Sequence, residues 1–108
     1  MEIIRNKTEF DKRQLGLIQE IIRAIKSDLQ DAELPDDVLA DLTGDIAFSV
    51  AAIIDGSRKM RFDGKPLVPV LTFADDNKRT KLIAAPGGSW MHEYAASVTD
   101  EVFDEETA

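Results

Sequence analysis

The chain has 108 residues, a formal net charge of −8 and 44% hydrophobic residues, which is enough for one domain with a core of its own. It contains no cysteine, so disulfide bridges, thiolate metal sites and cysteine nucleophiles are excluded. The first residues, MEIIRNKTEF, lack the apolar run of a secretory signal, and no segment approaches the ~20 apolar residues of a membrane span. We therefore expect a cytoplasmic protein with no membrane partner.

The charges are distributed unevenly along the chain. Residues 34–57 carry five acidic and no basic side chains, residues 58–81 carry seven basic and three acidic ones, and residues 82–108 carry six acidic and no basic ones. A basic segment therefore lies between two acidic segments. Either acidic helices lie beside this segment and neutralise it within the domain, or it forms a positive patch for an anionic ligand.

The N-terminal region predicts a short edge strand followed by a long helix. Ile3 and Ile4 indicate the strand. Thr8 has the features of an N-cap followed by first-turn carboxylates, so we expect a helix from about Glu9 to Glu33. Its apolar residues recur at helical spacing: Leu15, Leu17, Ile18, Ile21, Ile22, Ile25 and Leu29. Gly16 indicates a close crossing with another helix.

The stretch from Asp36 to Gly56, which is predicted to form a second helix, is the segment around which we expect the rest of the chain to pack. It begins after Pro35 and ends at Asp55-Gly56-Ser57, where glycine can adopt the left-handed conformation. Its larger apolar residues are expected to be buried: Val38, Leu39, Leu42, Ile46, Val50, Ile53 and Ile54. The short connection makes the two helices an antiparallel hairpin.

After Ser57 the apolar residues follow the two-residue period of strands. We expect strands at 58–62, 67–74 and 79–85, joined by tight turns. Two such turns in succession favour a three-stranded antiparallel meander with 67–74, apolar on both faces, in the centre. Pro69 has no amide to donate, but pairing residue 74 with residue 79 places it at the end of the ladder.

The last element is predicted to be a helix from about Trp90 to Phe103, capped by Ser89. Its buried face is expected to contain Met91, Ala95, Val98 and Val102. The acidic residues 104–108 are predicted to form a disordered tail, which leaves residues 1–103 as a single domain. The element order ααβββα predicts an α+β fold, in which the helical hairpin and the C-terminal helix pack on the meander.

One stretch has the composition of an anion-binding turn that leads into a helix N-terminus, where free amides and the helix dipole favour negative charge. The candidate anion-binding residues are Gly87, Gly88, Ser89, Trp90, Lys78, Arg79 and Lys81. The sequence contains neither GxxxxGK[ST] nor GxGxxG, the two glycine-rich phosphate-binding motifs. A phosphate or nucleotide site is therefore an alternative to ordinary turn chemistry.

Catalytic motifs are absent from the sequence. His92 is the only histidine, and Ala96 occupies the position where a zinc-protease HExxH motif has its second histidine. Ser89 and His92 share a helical face, but no acidic residue is evidently placed to orient the imidazole, so we expect His92 at the surface or in an interface. We predict no catalytic residue, no metal site and no cofactor, and the sequence does not favour an enzyme.

The predicted central strand suggests how the protein acts. Helices on one side of the meander would leave one apolar row exposed, and we expect Leu67, Leu71 and Phe73 to form an interface. The partner is another protein or a second copy of the chain, with a homodimer preferred. The net charge of −8 disfavours nucleic acid. The sequence thus favours a small acidic interaction or regulatory protein, with small-anion or nucleotide-phosphate binding at Gly87-Gly88-Ser89 as the alternative.

Overall fold

A computed structural model describes the backbone of residues 1–107 and the side chains of residues 1–105. The elements are β1 (Glu2–Arg5), α1 (Lys7–Gln30), α2 (Asp36–Ile54), β2 (Arg61–Phe62), β3 (Lys65–Pro66), β4 (Thr72–Ala74), β5 (Lys81–Ala84), a 3₁₀ helix (Met91–Tyr94) and α3 (Ala95–Thr107). The fold is mixed α+β, which agrees with the predicted class. Within the described residues, no helix has the length and apolar character that crossing a membrane requires.

The main sheet has three strands in the order β1-β5-β4, with β5 in the centre. β1 runs parallel to β5 and places Ile4 opposite Ile83, whereas β4 runs antiparallel and places Phe73 opposite Ile83. The predicted edge strand at Ile3 and Ile4 is confirmed. The predicted three-stranded antiparallel meander is confirmed only for the pairing of β4 with β5, because the N-terminal strand supplies the other neighbour of the central strand and the sheet is therefore mixed.

Residues 67–71 form no strand, although the sequence placed the central strand at 67–74. Pro66 and Pro69 lack amide donors, which prevents a continuous ladder through this segment. The chain instead passes over the C-terminal end of α2, where the Pro69 carbonyl oxygen lies 2.8 Å from the position of a Cβ built on Gly56. The short β2–β3 hairpin is consequently a separate two-stranded sheet.

Both predicted turns are present, but neither has the predicted length of four residues. Asp63 and Gly64 have φ values of 53° and 76°, as in the type I′ turns of tight hairpins, and they join β2 to β3. The turn between β4 and β5 is longer, so that Ala74 pairs with Leu82 and not with residue 79. The register of the predicted ladder was therefore wrong.

The two long helices form the predicted hairpin, but α1 begins before the predicted residue. Its N-cap is Asn6, whose Oδ1 accepts the Glu9 amide at 3.1 Å, and not Thr8. Because β1 ends at Arg5, the chain passes directly from the sheet into the helix, and asparagine is at least as effective a cap as threonine.

The core lies between the three α-helices and the 3₁₀ helix. Its buried members are Ile18, Ile22, Ala47, Ala51, Met91, Ala95, Val98 and Val102. The predicted buried face of the last helix is thereby confirmed. α2 follows its prediction only in part: Leu39 is buried, but the other buried side chains are small, and Val38, Ile46 and Ile53 are exposed.

Small residues let α2 approach α3 closely. A Cβ on Gly44 would lie 3.7 Å from the Thr99 side chain, which is ordinary van der Waals contact. The distance between packed helices depends on the side chains at the contact, so a larger residue in this row would move the helices apart. Gly16 has nothing within 4 Å of its Cβ position, so the predicted close crossing at Gly16 is wrong.

The C-terminal helix is tied to α1 near its end. Lys26 is buried, its Nζ lies 4.2 Å from the centre of the Phe103 ring, and Arg23 pairs with Glu105 at 3.2 Å. α3 extends to Thr107, so the tail predicted for residues 104–108 falls within this helix as far as Thr107. The final residue of that predicted tail, Ala108, lies outside the described residues.

Gly56 tests the contact between the end of α2 and residues 67–71. Its φ of 77° lies in the left-handed region, as the sequence predicted, and a Cβ there would come within 2.8 Å of the Pro69 oxygen. We expect Gly56→Ala to lower the free energy of unfolding by about 2–3 kcal/mol, because left-handed backbone costs an L-residue roughly 1–2 kcal/mol and the contact adds to that cost.

Gly64→Ala is the matched control for this prediction. Gly64 has a φ of 76°, but nothing lies within 4 Å of its Cβ position, so urea unfolding should show a loss of only about 1 kcal/mol. Equal losses in the two variants would mean that the contact with Pro69 does not constrain the end of α2.

Candidate functional site

A cavity of about 370 Å³ opens where the end of α2, residues 68–71 and the glycine turn come together. Its wall is mainly apolar and includes one carboxylate and no cation. We call it the Trp90 cavity. Its lining residues are Asp55, Gly56, Ser57, Val68, Pro69, Val70, Leu71, Ala84, Ala85, Gly87, Gly88, Ser89 and Trp90.

The rim of this cavity carries unusually exposed apolar side chains. Val70 is 79% exposed, Val68 67% and Trp90 56%, and Phe62 on the neighbouring hairpin is 72% exposed. Together with Met1, these are the five most exposed large hydrophobic residues of the described chain. Single exposed apolar residues are common on protein surfaces, but several beside one cavity indicate a binding surface.

A second cavity, of about 400 Å³, adjoins the first and shares Gly56 and Val68 with it. We call it the Arg61 cavity. Its lining residues are Gly56, Arg58, Lys59, Met60, Arg61, Pro66, Leu67 and Val68. Because the two cavities share Gly56 and Val68, we refer to them together as the groove, with an apolar end at Trp90 and a basic end at Arg61.

The cations at the basic end are not neutralised by the protein. Among the described residues, Arg58, Lys59 and Lys65 form no ion pair, and Arg61 donates a hydrogen bond of 2.6 Å to a backbone carbonyl, that of Gly64. Within residues 1–105, no carboxylate of the acidic helices therefore pairs with these side chains. Of the two explanations for the basic segment, direct neutralisation by neighbouring carboxylates is not observed at residues 58–65.

The predicted anion-binding residues are only partly brought together. Gly87, Gly88, Ser89 and Trp90 line the Trp90 cavity, whereas the exposed residues Lys78, Arg79 and Lys81 do not line it. The helix after the turn begins as a four-residue 3₁₀ helix without a side-chain cap, and Ser89 Oγ donates to Gln14 Oε1 at 3.0 Å. The prediction that Ser89 caps this helix is therefore wrong. No lysine or arginine side chain lines the Trp90 cavity at this turn.

The predicted interface residues do not form one exposed row. Leu67 is exposed in the Arg61 cavity, but Leu71 is half-buried against the helical core. Phe73 is half-buried and packs edge-to-face on Phe10, with 5.4 Å between the ring centres. The three residues are separated because residues 67–71 do not form a strand and so do not alternate between two faces.

Asp55, Ser57 and His92 form a hydrogen-bonded cluster next to the Trp90 cavity, which Asp55 and Ser57 line. The fully buried Asp55 carboxylate accepts four hydrogen bonds, from the amide and hydroxyl of Ser57 at 2.9 and 2.6 Å and from the amide and Nδ1 of His92 at 3.0 and 2.5 Å. It thereby joins the end of α2 to the start of the 3₁₀ helix. The predicted surface position of His92 is wrong, since its side chain is 17% exposed.

The protonation state of this cluster follows from its geometry. Burial raises the pKa of Asp55, but the hydrogen bonds from Ser57 and His92 outweigh it, and the pKa lies below its ordinary value. An ionised carboxylate only accepts hydrogen bonds, so His92 Nδ1 carries a proton.

The cluster does not have the geometry of a serine-nucleophile triad. Ser57 Oγ lies 3.1 Å from His92 Nδ1, the same nitrogen that bonds Asp55. In a triad the serine faces the other ring nitrogen, Nε2, which takes its proton. His92 Nδ1 already carries a proton and cannot accept another, so Ser57 is not activated as a nucleophile.

Sequence reasoning found part of this cluster and missed the rest. Asp55-Gly56-Ser57 was identified as a helix end, and aspartates commonly bond the amide two residues later, as Asp55 does with Ser57. The contact between Asp55 and His92 joins residues 37 positions apart, and no local pattern indicates it.

The remaining cavities are less well suited to a ligand. One of about 390 Å³ is lined by Phe48, Arg58 and His92 among others, and another of about 500 Å³ between α2 and α3 is lined by Asp41, Asp45 and Asp100, so neither combines an apolar wall with a row of highly exposed apolar side chains. Within the part of the chain that the structure describes, no group of three or more histidine, aspartate or glutamate side chains is arranged to hold a metal ion.

Compared with protein-family models, with curated proteins and with solved structures, the chain gives no match.

Asp55 makes a prediction about stability and its pH dependence. Because its pKa is lowered in the folded state, its contribution is complete above pH ~4, the ordinary aspartate value, and is lost as pH falls through the lower folded value. We expect Asp55→Asn to lower the free energy of unfolding at neutral pH by about 1–3 kcal/mol. An amide nitrogen in place of one carboxylate oxygen leaves two of the four donors, those of Ser57 or those of His92, without an acceptor. The difference from the unmodified protein should shrink as pH falls below 4 in urea titrations.

Asp41→Asn serves as the control for this measurement, since Asp41 is exposed on α2. It should change the free energy of unfolding by less than about 0.5 kcal/mol at either pH. If Asp55→Asn behaved like Asp41→Asn, the carboxylate would not hold the two segments together.

Proposed function

We propose that this protein is a small interaction protein that binds a segment of another polypeptide in the groove formed by the Trp90 and Arg61 cavities. The observation that carries the proposal is the concentration of exposed apolar side chains, Val68, Val70 and Trp90, around a mainly apolar cavity. Complete burial of one valine side chain contributes about 1.5–3 kcal/mol, so burial of Val68 and Val70 by a partner would favour complex formation.

The groove has the features of a peptide-binding surface. Its outer wall is the irregular segment 67–71, whose backbone belongs to no sheet. Tryptophan at a cavity edge supplies a large apolar surface with a polar end, which is why it is frequent at interface anchors. The Trp90 cavity has a volume of about 370 Å³, which accommodates one or two apolar side chains of a partner. A flat protein surface would leave this volume unfilled.

The alternatives considered from the sequence are less well supported at this surface. A two-fold homodimer through the groove would bring Arg58, Lys59 and Arg61 of both copies together, which like charges oppose. An anion site at Gly87-Gly88-Ser89 has no cation in its cavity and faces Asp55. The Asp55 cluster does not favour an enzyme, because Ser57 faces the protonated nitrogen of His92.

The test is selection of random displayed peptides on the immobilised protein, followed by titration of the strongest binders. Trp90 is the only tryptophan of the chain and lines the cavity, so its fluorescence reports binding directly. We expect Val70→Asp to weaken the selected peptides at least ~10-fold, since it removes one apolar contact and places a charge in the site.

Val38→Asp is the matched control, a valine 40% exposed on α2 and roughly 24 Å along the helix axis from the groove. It should leave the affinity unchanged. Failure to select any binder, or binders that tolerate Val70→Asp, would contradict the proposed function. An increase in melting temperature with inorganic phosphate that is lost in Gly88→Ala would support the anion-binding alternative in its place.

A further inference from the structure

We infer that the polypeptide segment bound in the groove is acidic, with carboxylates beside the apolar side chain that lies at the Arg61 end. This inference rests on the proposed function and names the chemistry of its partner. It is independent of the apolar contacts at Val70 and Trp90, since it depends on the other end of the groove.

The charge of the groove carries the inference. Arg58, Lys59 and Arg61 line the Arg61 cavity together with the apolar residues Met60 and Leu67. Cationic and apolar side chains in one cavity match a ligand in which carboxylates and apolar side chains alternate closely. The apolar end has no cation, so the charged part of the ligand is confined to one side.

Positive charge at and beside the basic end has no intramolecular ion pair within residues 1–105, as is also the case at Lys78, Arg79 and Lys81. The cations of α1 have intramolecular partners, such as Arg13 with Glu9 and Arg23 with Glu105. Within residues 1–105, the side chains of Arg58, Lys59 and Lys65 have no carboxylate within ion-pairing distance. A carboxylate brought by a partner therefore displaces no existing ion pair.

The apolar lining distinguishes a polypeptide from a nucleic acid. Val68 and Leu67 offer no hydrogen bonds to bases, and single-stranded binders combine a basic track with several stacking aromatics. A nucleic acid also carries a negatively charged phosphate on every nucleotide, and the net protein charge of −8 repels each of them. A peptide with a few carboxylates meets this repulsion only weakly and gains from apolar burial.

The experiment compares Lys59→Glu with Lys78→Glu on the peptides selected in the preceding test. Both lysines are exposed, belong to the basic segment 58–81 and change the net charge equally, but only Lys59 lines the groove. We expect Lys59→Glu to weaken binding about fivefold at low salt, and Lys78→Glu to change it less than twofold. Added salt should weaken binding to the unmodified protein and reduce the difference between the variants.

Charge exchange separates a direct contact from a general effect of the field. In the selected peptides we expect aspartate or glutamate next to an apolar residue. Replacing that acidic residue by lysine should weaken binding to the unmodified protein. The same peptide should bind Lys59→Glu more tightly than it binds Lys78→Glu, because only the first variant places a carboxylate in the groove.

The outcomes distinguish this inference from the proposed function. The inference would be overturned if the selected peptides carried no acidic residues and bound Lys59→Glu and Lys78→Glu equally. If those peptides still depended on Val70, the proposed function would stand. If a single-stranded oligonucleotide bound more tightly than the peptides and displaced them, the inference of an acidic polypeptide would be overturned and a nucleic acid would be the ligand. Sedimentation showing self-association that Lys59→Glu abolishes would identify a second copy as the occupant and overturn it as well.

Discussion

The buried carboxylate of Asp55 is the interaction on which the arrangement of the groove depends. A buried charge must be compensated by hydrogen bonds, and Asp55 takes all of its partners from two places, the turn at Ser57 and the start of the 3₁₀ helix at His92. These bonds fix Trp90 next to the end of α2. Gly56, left-handed and without a Cβ, then lets residues 68 and 69 pass across the same helix end. The cavity is the space between these fixed segments.

Two local constraints explain why apolar side chains remain at the surface of a small domain. Apart from Leu39, the buried side chains of α2 are alanine and threonine, and several of its larger side chains, Val38, Ile46 and Ile53, are exposed. Pro66 and Pro69 prevent the segment between the hairpin and β4 from joining a sheet, and its valines turn outward. The first constraint gives a tight helical core. The second leaves Val68 and Val70 beside the groove, where a partner can bury them.

The sequence predicted the local elements well and their pairing poorly. The two long helices, the left-handed Gly56, the Asp63-Gly64 turn and the buried stripe from Met91 to Val102 all follow from patterns within a few residues. The pairing of β1 with β5 joins strands separated by most of the chain, and no local pattern encodes it. For the candidate site, the glycine turn and Trp90 were recognised, but the lysines and arginine predicted to accompany them lie elsewhere.

By itself, the sequence determined the helices, the tight turns and the alternation of acidic and basic segments, because periodicity, capping and charge are properties of neighbouring residues. Only the tertiary structure decided which strand is central, which face of α2 is buried, and that Asp55 meets His92. Those choices depend on which surfaces fit when distant segments pack together, and the energy of that fit is shared among residues far apart in the chain.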